Sequence, residues 1–315
     1  MQPFFSIIIP LYNKQNYIED TLKSVINQSF TNYEIIIVND GSTDKSLEKV
    51  ARIKDERIQI YSIENQGVSF ARNYAIEKAN APLLVFLDAD DTWKENHLEL
   101  LKTLFNKFPN CGLYATAYAK QTRTLKIHSV YKNIPKQNNW MGIVDDFFES
   151  SMVNCIAWTS AVMIPKKIID NVGNFDGSIT LGAGEDTDLW IRIALKYPVA
   201  FCNTVTAIHN LYTENRISNA NTNIRKFINL DKFENNAKQN ISLKKYLDFN
   251  RYAIAIQYKL VSNKKKAIQY IDDIDLKNLN WKQRFLLHSN SSVLRILRKF
   301  KFKLQQKGIN LSSFQ

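Results

Sequence analysis

Cysteine is scarce in this sequence: Cys111, Cys155 and Cys202 are the only three among 315 residues, widely spaced and without a CxxC pair. That leaves no disulfide framework and no cysteine-based zinc site, and it reads the three thiols as small buried hydrophobes. Long apolar runs are missing too. No stretch approaches the roughly 20 residues that span a bilayer. The start, "MQPFFSIIIPLYN", has neither the basic opening nor the small-residue cleavage site of a secretory signal, so a cytoplasmic protein is expected. Glycine and proline almost vanish after residue 222, where Gly308 alone remains, and acidic residues stop at Asp275. The net charge of +12 is therefore a property of the C-terminal part: residues 225–315 hold 20 Lys and Arg against 6 Asp and Glu, while residues 1–224 hold 22 against 24. Such asymmetry points to a polyanion or an anionic membrane surface as neighbour.

What is present begins with alternation. The apolar, β-rich runs "FFSIIIP" (4–10), "YEIIIVND" (33–40), "RIQIYSI" (57–63) and "PLLVFLD" (82–88) read as strands buried on both faces. Between them, "NYIEDTLKSVINQ", "STDKSLEKVARI" and "GVSFARNYAIEKA" carry apolar residues at spacings of three and four, which suit amphipathic helices. This order predicts an α/β fold with a mostly parallel sheet between helices, and in such sheets ligands sit beyond the carboxyl ends of the strands. Residues 111–210 are mixed: "CGLYATAYA" and "TSAVMIP" read as strands, and "GAGEDTDLWIRIALKY" (182–197) as a Gly-rich loop opening a helix. Beyond 222 the pattern is helical. A soft boundary near 220 divides a domain over 1–220 from a basic helical region over 221–315. At 45% hydrophobic residues the chain suffices for one large domain or for a core domain with an appendage.

Three strand ends are chemically loaded. "VFLDADDTW" places Asp88, Asp90 and Asp91 after a buried strand. A solvated turn holds three Asp cheaply, but hard oxygen ligands there also suit Mg²⁺ or Mn²⁺ with a diphosphate, and the strand period of two sends Asp88 and Asp90 to one side. "VNDGSTD" is ordinary turn and cap chemistry; alternatively, Asp40 accepts a hydrogen bond from a nucleobase N–H. Arg72, inside the helix expected after Gly67, is either a salt-bridge residue or a contact for a diphosphate or base edge. In "GAGEDTDLWIR", Glu185, Asp186 and Asp188 complement a helix dipole yet exceed what capping needs, and a carboxylate held there has the chemistry of a general base. His209 follows a probable strand, with Arg216 seven residues on, and is either structural or functional.

Taken in order, "SIIIPLYN", "VNDGSTD", "ARN", "FLDADD" and "GEDTDLW" resemble the family 2 glycosyltransferases, nucleotide-sugar enzymes of the GT-A fold that build bacterial surface polysaccharides; the resemblance covers about residues 4–216. It implies a UDP-sugar donor and a divalent metal, Mn²⁺ or Mg²⁺. Pro10 and Tyr12 would flank the uracil, Asp40 would bond its N3–H, and Arg72 would reach the base or the diphosphate. Asp88 would hold the ribose and Asp90 the metal. Asp186 would be the catalytic base, supported by Glu185. His209 matches a position that completes the metal or phosphate site in some members, and Trp190 would shape the acceptor pocket. The resemblance further implies inversion at the anomeric carbon and a saccharide or polyprenyl-diphosphate-linked acceptor. Because the Gln-x-x-Arg-Trp motif of processive members is absent, one sugar per encounter is expected. Asp91 and Asp188 stay open between functional and supporting roles.

The tail "SSVLRILRKFKFKLQQK" (291–307) sets Val293, Leu297, Phe300 and Leu304 on one helical stripe amid Arg295, Arg298, Lys299, Lys301 and Lys303. Such a helix either lies on an anionic membrane, placing the protein peripherally on the inner face of the cytoplasmic membrane, or packs its stripe on the domain. Two other readings are a nucleotide-sugar-binding protein without transfer and, from the basic charge and 14 tyrosines, an RNA-binding protein. Intact Asp90 and Asp186 speak against the first. Confinement of the basicity to the tail, with no RNA-binding motif, speaks against the second.

Overall fold

The structure, a computed structural model, describes residues 2–306 and 313. Ten strands among them form one mixed sheet: β1 (Phe5–Leu11), β2 (Tyr33–Asp40), β3 (Ile58–Ile63), β4 (Leu83–Phe86), β5 (Thr92–Trp93), β6 (Leu113–Gln121), β7 (Lys126–His128), β8 (Met141–Ile143), β9 (Val162–Pro165) and β10 (Val199–Asn210). Their order is β3-β2-β1-β4-β9-β6-β10-β5, with β7 on β6 and β8 on β10. The first four strands are parallel. β9 then enters antiparallel between β4 and β6, and β6 and β10 run parallel again. The carboxyl ends of β1, β2, β4, β6 and β10 thus lie along one edge.

The parallel half forms because its strands are nearly continuous Ile and Val, apolar to both sides. Alternate residues divide between two cores. Ile8, Ile36 and Val38 face α3 (Val68–Lys78), whereas Ile7, Ile9, Ile35 and Ile37 face α1 (Ile18–Ile26) and α4 (His97–Lys107). β3 departs from the expected double burial. It closes the sheet and alternates between half-buried and exposed residues, since only one of its edges and one of its faces is covered.

The remaining helices are short α2 (Ser46–Ala51), α5 (Phe147–Ser150) and α6 (Lys166–Val172), then α7 (Glu185–Ala194), followed by α8 (Glu234–Ala237), α9 (Ile241–Leu260), α10 (Lys264–Asp272), α11 (Trp281–His288) and α12 (Ser291–Gln306). The core does not break near 220. Ile228, Leu230, Phe233, Leu243, Tyr246, Leu247 and Ile254 join the same apolar cluster as Phe148, Ile164, Leu189 and Trp190. Within α12 it is Leu294 that docks, at 4% exposure, while Ile296, Leu297 and Phe300 of the same helix face outward. Of the expected stripe, Val293 and Leu304 are half-buried while Leu297 and Phe300 are exposed. Cys111 and Cys202 are buried and Cys155 partly so, all as free thiols. No helix among the described residues is long and apolar enough to cross a membrane.

Candidate active site

A cavity of about 700 Å³ opens at the carboxyl edge of the sheet. Pro10, Tyr12, Asp40, Arg72, Asp88, Asp90, Glu185 and Asp186 all line it, carried by the ends of β1, β2 and β4 and by the starts of α3 and α7. Side chains separated by up to 176 positions in sequence are thereby brought to one wall. His209 is not on that wall, and it lies inside β10 instead of after it.

Asp40 is clamped. Its two oxygens accept from the backbone N–H groups of Gln66 (2.8 Å) and Gly67 (3.0 Å) at the start of α3. Burial pushes its carboxyl above the usual value while those two donors pull it back. Gly67 enters α3 with φ +92°, a left-handed backbone that glycine adopts without strain. Arg72, 3% exposed, ties two carboxylates together, through Asp88 Oδ1 at 2.8 Å and Glu185 Oε1 at 3.4 Å, and lies over the Phe175 ring. Burial alone would lower its pKa, but Asp88 and Glu185 outweigh it and hold the guanidinium above its ordinary value. Glu185 is pushed upward by burial and by the charge of Asp186, against the pull of Arg72, and its Oε2 is buried without a hydrogen-bond partner.

Asp186 stands in the first turn of α7, half-buried, with Oδ1 accepting from Thr187 N (2.6 Å) and Oδ2 from Thr159 Oγ1 (3.4 Å). The approach to it is tight. Leu181, Gly182 and Gly184 have φ of +58°, +62° and +105°, and a Cβ on Gly182 would come within 2.8 Å of Ile217. Left-handed backbone at a non-glycine residue costs about 1–3 kcal/mol and persists where the surroundings enforce it.

At Asp90 the structure holds an unforeseen partner. Oδ2 accepts from Lys14 Nζ at 2.6 Å and from Thr213 Oγ1 at 2.8 Å. The ammonium also donates to the carbonyl oxygens of Glu214 (3.1 Å) and Asn215 (3.3 Å). Three hard oxygens thus surround one cation, a donor set that fits Mg²⁺ or Mn²⁺ where the ammonium now sits. Among the described residues no three His, Cys, Asp or Glu side chains converge on a metal position, so the protein would supply few ligands. Mg²⁺ sites that take substrate phosphates and water have this character. His209 does not join the set in this arrangement: its Nε2 accepts from Arg216 Nη2 at 3.0 Å, its ring stacks on Trp158, and Nδ1 is buried without a partner.

Neither of the two open aspartates lines the cavity. Asp91 is buried, accepts from Ser160 Oγ (2.7 Å) and Asn210 N (3.0 Å), and its carboxyl is raised by burial and by Asp90 and Asp88. Asp188 is fully buried and pairs with Arg192 and Lys232. Trp190 corrects the sequence expectation: it is 1% exposed, set against Phe175, and away from the cavity lining. Its place is periodic, since it falls three residues before Ile193, which is buried in the same core cluster. Trp158, Thr159, Asn215, Ile217, Asn219 and Ala220, to which the sequence assigned no role, also line the cavity, with Arg216 among them. Trp158, in the apolar run "IAWTS", was the one with a readable signal.

Residues 6–172 match the glycosyl transferase family 2. The chain is 36% identical over 160 residues to the putative teichuronic acid biosynthesis glycosyltransferase TuaG of Bacillus subtilis, which covers 49% of this chain and 61% of that protein. It is 30% identical over 221 residues to an uncharacterized glycosyltransferase of Rickettsia typhi, 69% of this chain and 68% of the relative. A Rickettsia bellii relative is 28% identical over 233 residues, of which the chain spans 30% of the length. Among solved structures, S. aureus TarS 1–349 in complex with UDP-GlcNAc superposes with TM-score 0.58 at 16% identity, covering 91% of this chain and 78% of that one. That likeness concerns the fold, which is GT-A. With the ordered motifs gathered on one cavity and more than half of the chain matched, the protein belongs to glycosyl transferase family 2.

Proposed function

We propose that the protein moves a sugar from a UDP-sugar, with inversion at the anomeric carbon, to a hydroxyl of a saccharide or lipid-linked saccharide during synthesis of a cell-surface glycan, one sugar per encounter. The observation that carries this reading is the placing of Asp40, Arg72, Asp88 and Asp90 on one wall of the cavity with Asp186. TuaG's part in teichuronic acid biosynthesis and the UDP-GlcNAc bound by TarS support the glycan and the donor class.

Asp40, held rigid by α3, presents its carboxylate to the base N3–H, and Pro10 and Tyr12 flank the ring. Asp88 takes the ribose hydroxyls, while Arg72 sets the distance between Asp88 and Glu185. A divalent cation on Asp90 would neutralise charge on the departing diphosphate. Asp186 accepts the proton of the acceptor hydroxyl as that oxygen attacks the anomeric carbon from the side opposite the UDP, so the C–O bond to UDP breaks as the new one forms. The basic α12, with Ile296, Leu297 and Phe300 outward, suits contact with an anionic bilayer carrying the acceptor. Removal of residues 291–315 then releases the protein from anionic vesicles; unchanged retention refutes that contact.

The test is calorimetric binding of UDP-, GDP- and dTDP-sugars with Mn²⁺ and with EDTA. One UDP-sugar should bind, and with the metal only. Asp90→Ala should abolish that binding. Asp186→Asn should keep it within about twofold and lose transfer by about 10³-fold, the scale of a removed general base. Equal loss of donor binding in both variants would overturn this division of roles.

A further inference from the structure

Lys14 belongs to no role assigned above, yet its ammonium is fully satisfied. Each of its three N–H bonds has an oxygen: Asp90 Oδ2 at 2.6 Å, Glu214 O at 3.1 Å and Asn215 O at 3.3 Å. The side chain is 13% exposed. The backbone on both sides of the contact is left-handed at non-glycine residues, φ +50° at Asn13 and +52° at Asn215. Asn13 is fixed there because its Oδ1 accepts from Thr43 N at 2.8 Å. Asparagine takes this backbone readily, and the two turns set Lys14 and the Asn215 carbonyl against each other.

The contact also holds a wall. Asn215, Arg216, Ile217, Asn219 and Ala220 line the cavity. Their segment reaches the strand ends through Lys14 and Thr213 on Asp90, with further bonds from Glu214 N to Tyr17 Oη and from Asn16 Nδ2 to Glu214 Oε2 (3.4 Å). Of the other cations lining the cavity, Arg72 is committed to Asp88 and Glu185 and Arg216 to His209 Nε2 and the Leu211 carbonyl. Lys14 is therefore the positive group there with a flexible stem and a partner it can exchange.

Resting on the donor reading above, we propose that Lys14 is a donor-binding residue with two positions: its ammonium keeps Asp90 and the 213–220 wall together before the donor enters, and it passes to the diphosphate when the donor binds. Two cations cannot share one carboxylate oxygen at contact distance without strong repulsion. Lys14 consequently competes with a divalent cation for Asp90 before the donor binds, and assists it once the diphosphate supplies further negative oxygens. One side chain thus weakens premature metal loading and strengthens donor loading. Its departure also leaves Thr213 as the side chain of the 213–220 wall that bonds Asp90.

Lys14→Met, which keeps the apolar stem and removes the charge, separates these effects. Mn²⁺ affinity without nucleotide, read from the free-ion paramagnetic resonance signal, should rise about tenfold, the worth of one partly buried ion contact. UDP affinity at saturating Mn²⁺, read by calorimetry, should fall about tenfold. Lys14→Arg should keep UDP affinity within about threefold of wild type. A structural lysine would weaken both kinds of binding, and a spectator would change neither; either result overturns the proposal. Wild type that fails to bind UDP at all sinks the donor reading and this inference with it. Wild type that binds UDP while Lys14→Met is unaltered sinks this inference alone.

Discussion

Single side chains at this site carry opposite demands, and their surroundings show which demand prevails. Asp40, Asp88, Asp90 and Asp186 were legible because a carboxylate ending an apolar strand or opening a helix is conspicuous in sequence. Lys14 was not, since a lysine one step beyond such a motif is a surface residue by default and its partners lie 76 and 200 positions away. An indole beside the Glu-Asp pair suggests a pocket, whereas Trp190 is buried in the core against Phe175. Trp190→Ala should cost about 3–5 kcal/mol, the price range of an emptied aromatic site in a core, and leave donor affinity unchanged; denaturant unfolding with donor titration checks both. His97 offers a test in pH. It is fully buried, stacked on Trp93 with Nδ1 at 2.7 Å from Thr206 Oγ1, and burial pushes it down from 6.5 to about 3. The native state thus stays unprotonated where the unfolded chain takes up a proton. Stability from this residue is whole above about pH 6.5 and is lost as pH falls toward 3, by about 2 kcal/mol at pH 5. In His97→Gln the loss of stability between pH 7 and pH 5 should be smaller than in wild type by about that amount.

Elements were readable where they were long enough to repeat. β1, β2 and α3 emerge at nearly their observed bounds because Ile and Val runs and a 3,4-spaced pattern each extend over several residues. β5, β7 and β8, of two and three residues, have no period to display and exist through their neighbours β6 and β10. The burial of β3 was overestimated for a related reason: composition records apolarity, but only topology says which strand ends the sheet. At α7 the loop decides the helix. Gly184 has φ +105°, and a Cβ there would meet Ile228 at 2.9 Å. Gly184→Ala should therefore lower stability by about 1–3 kcal/mol, and it should reduce transfer more than donor affinity because Asp186 moves with the first turn. Thermal unfolding alongside turnover and donor calorimetry would check this; intact turnover would mean that the loop position does not govern Asp186.

At the scale of the molecule, the change of composition near 220 was visible and its meaning was not. Loss of Gly and Pro, gain of Lys and a shift to helix mark a region, yet the side chains that join it to the sheet are ordinary Ile, Leu, Phe and Tyr. Because those residues complete the cluster around Trp190, the full chain should unfold in one calorimetric transition, and residues 1–220 alone should lack a cooperative one. Two resolved transitions, or a stable fragment, would show the two regions to be separate bodies. The shared core also bears on how such a protein diversifies. A recombination event that exchanged everything after 220 with a relative would import a foreign half of a fitted interior, so hybrid chains should survive only where the exchanged helices bring side chains of matching volume, and new acceptors should arise more readily by point changes at the cavity rim than by grafting tails.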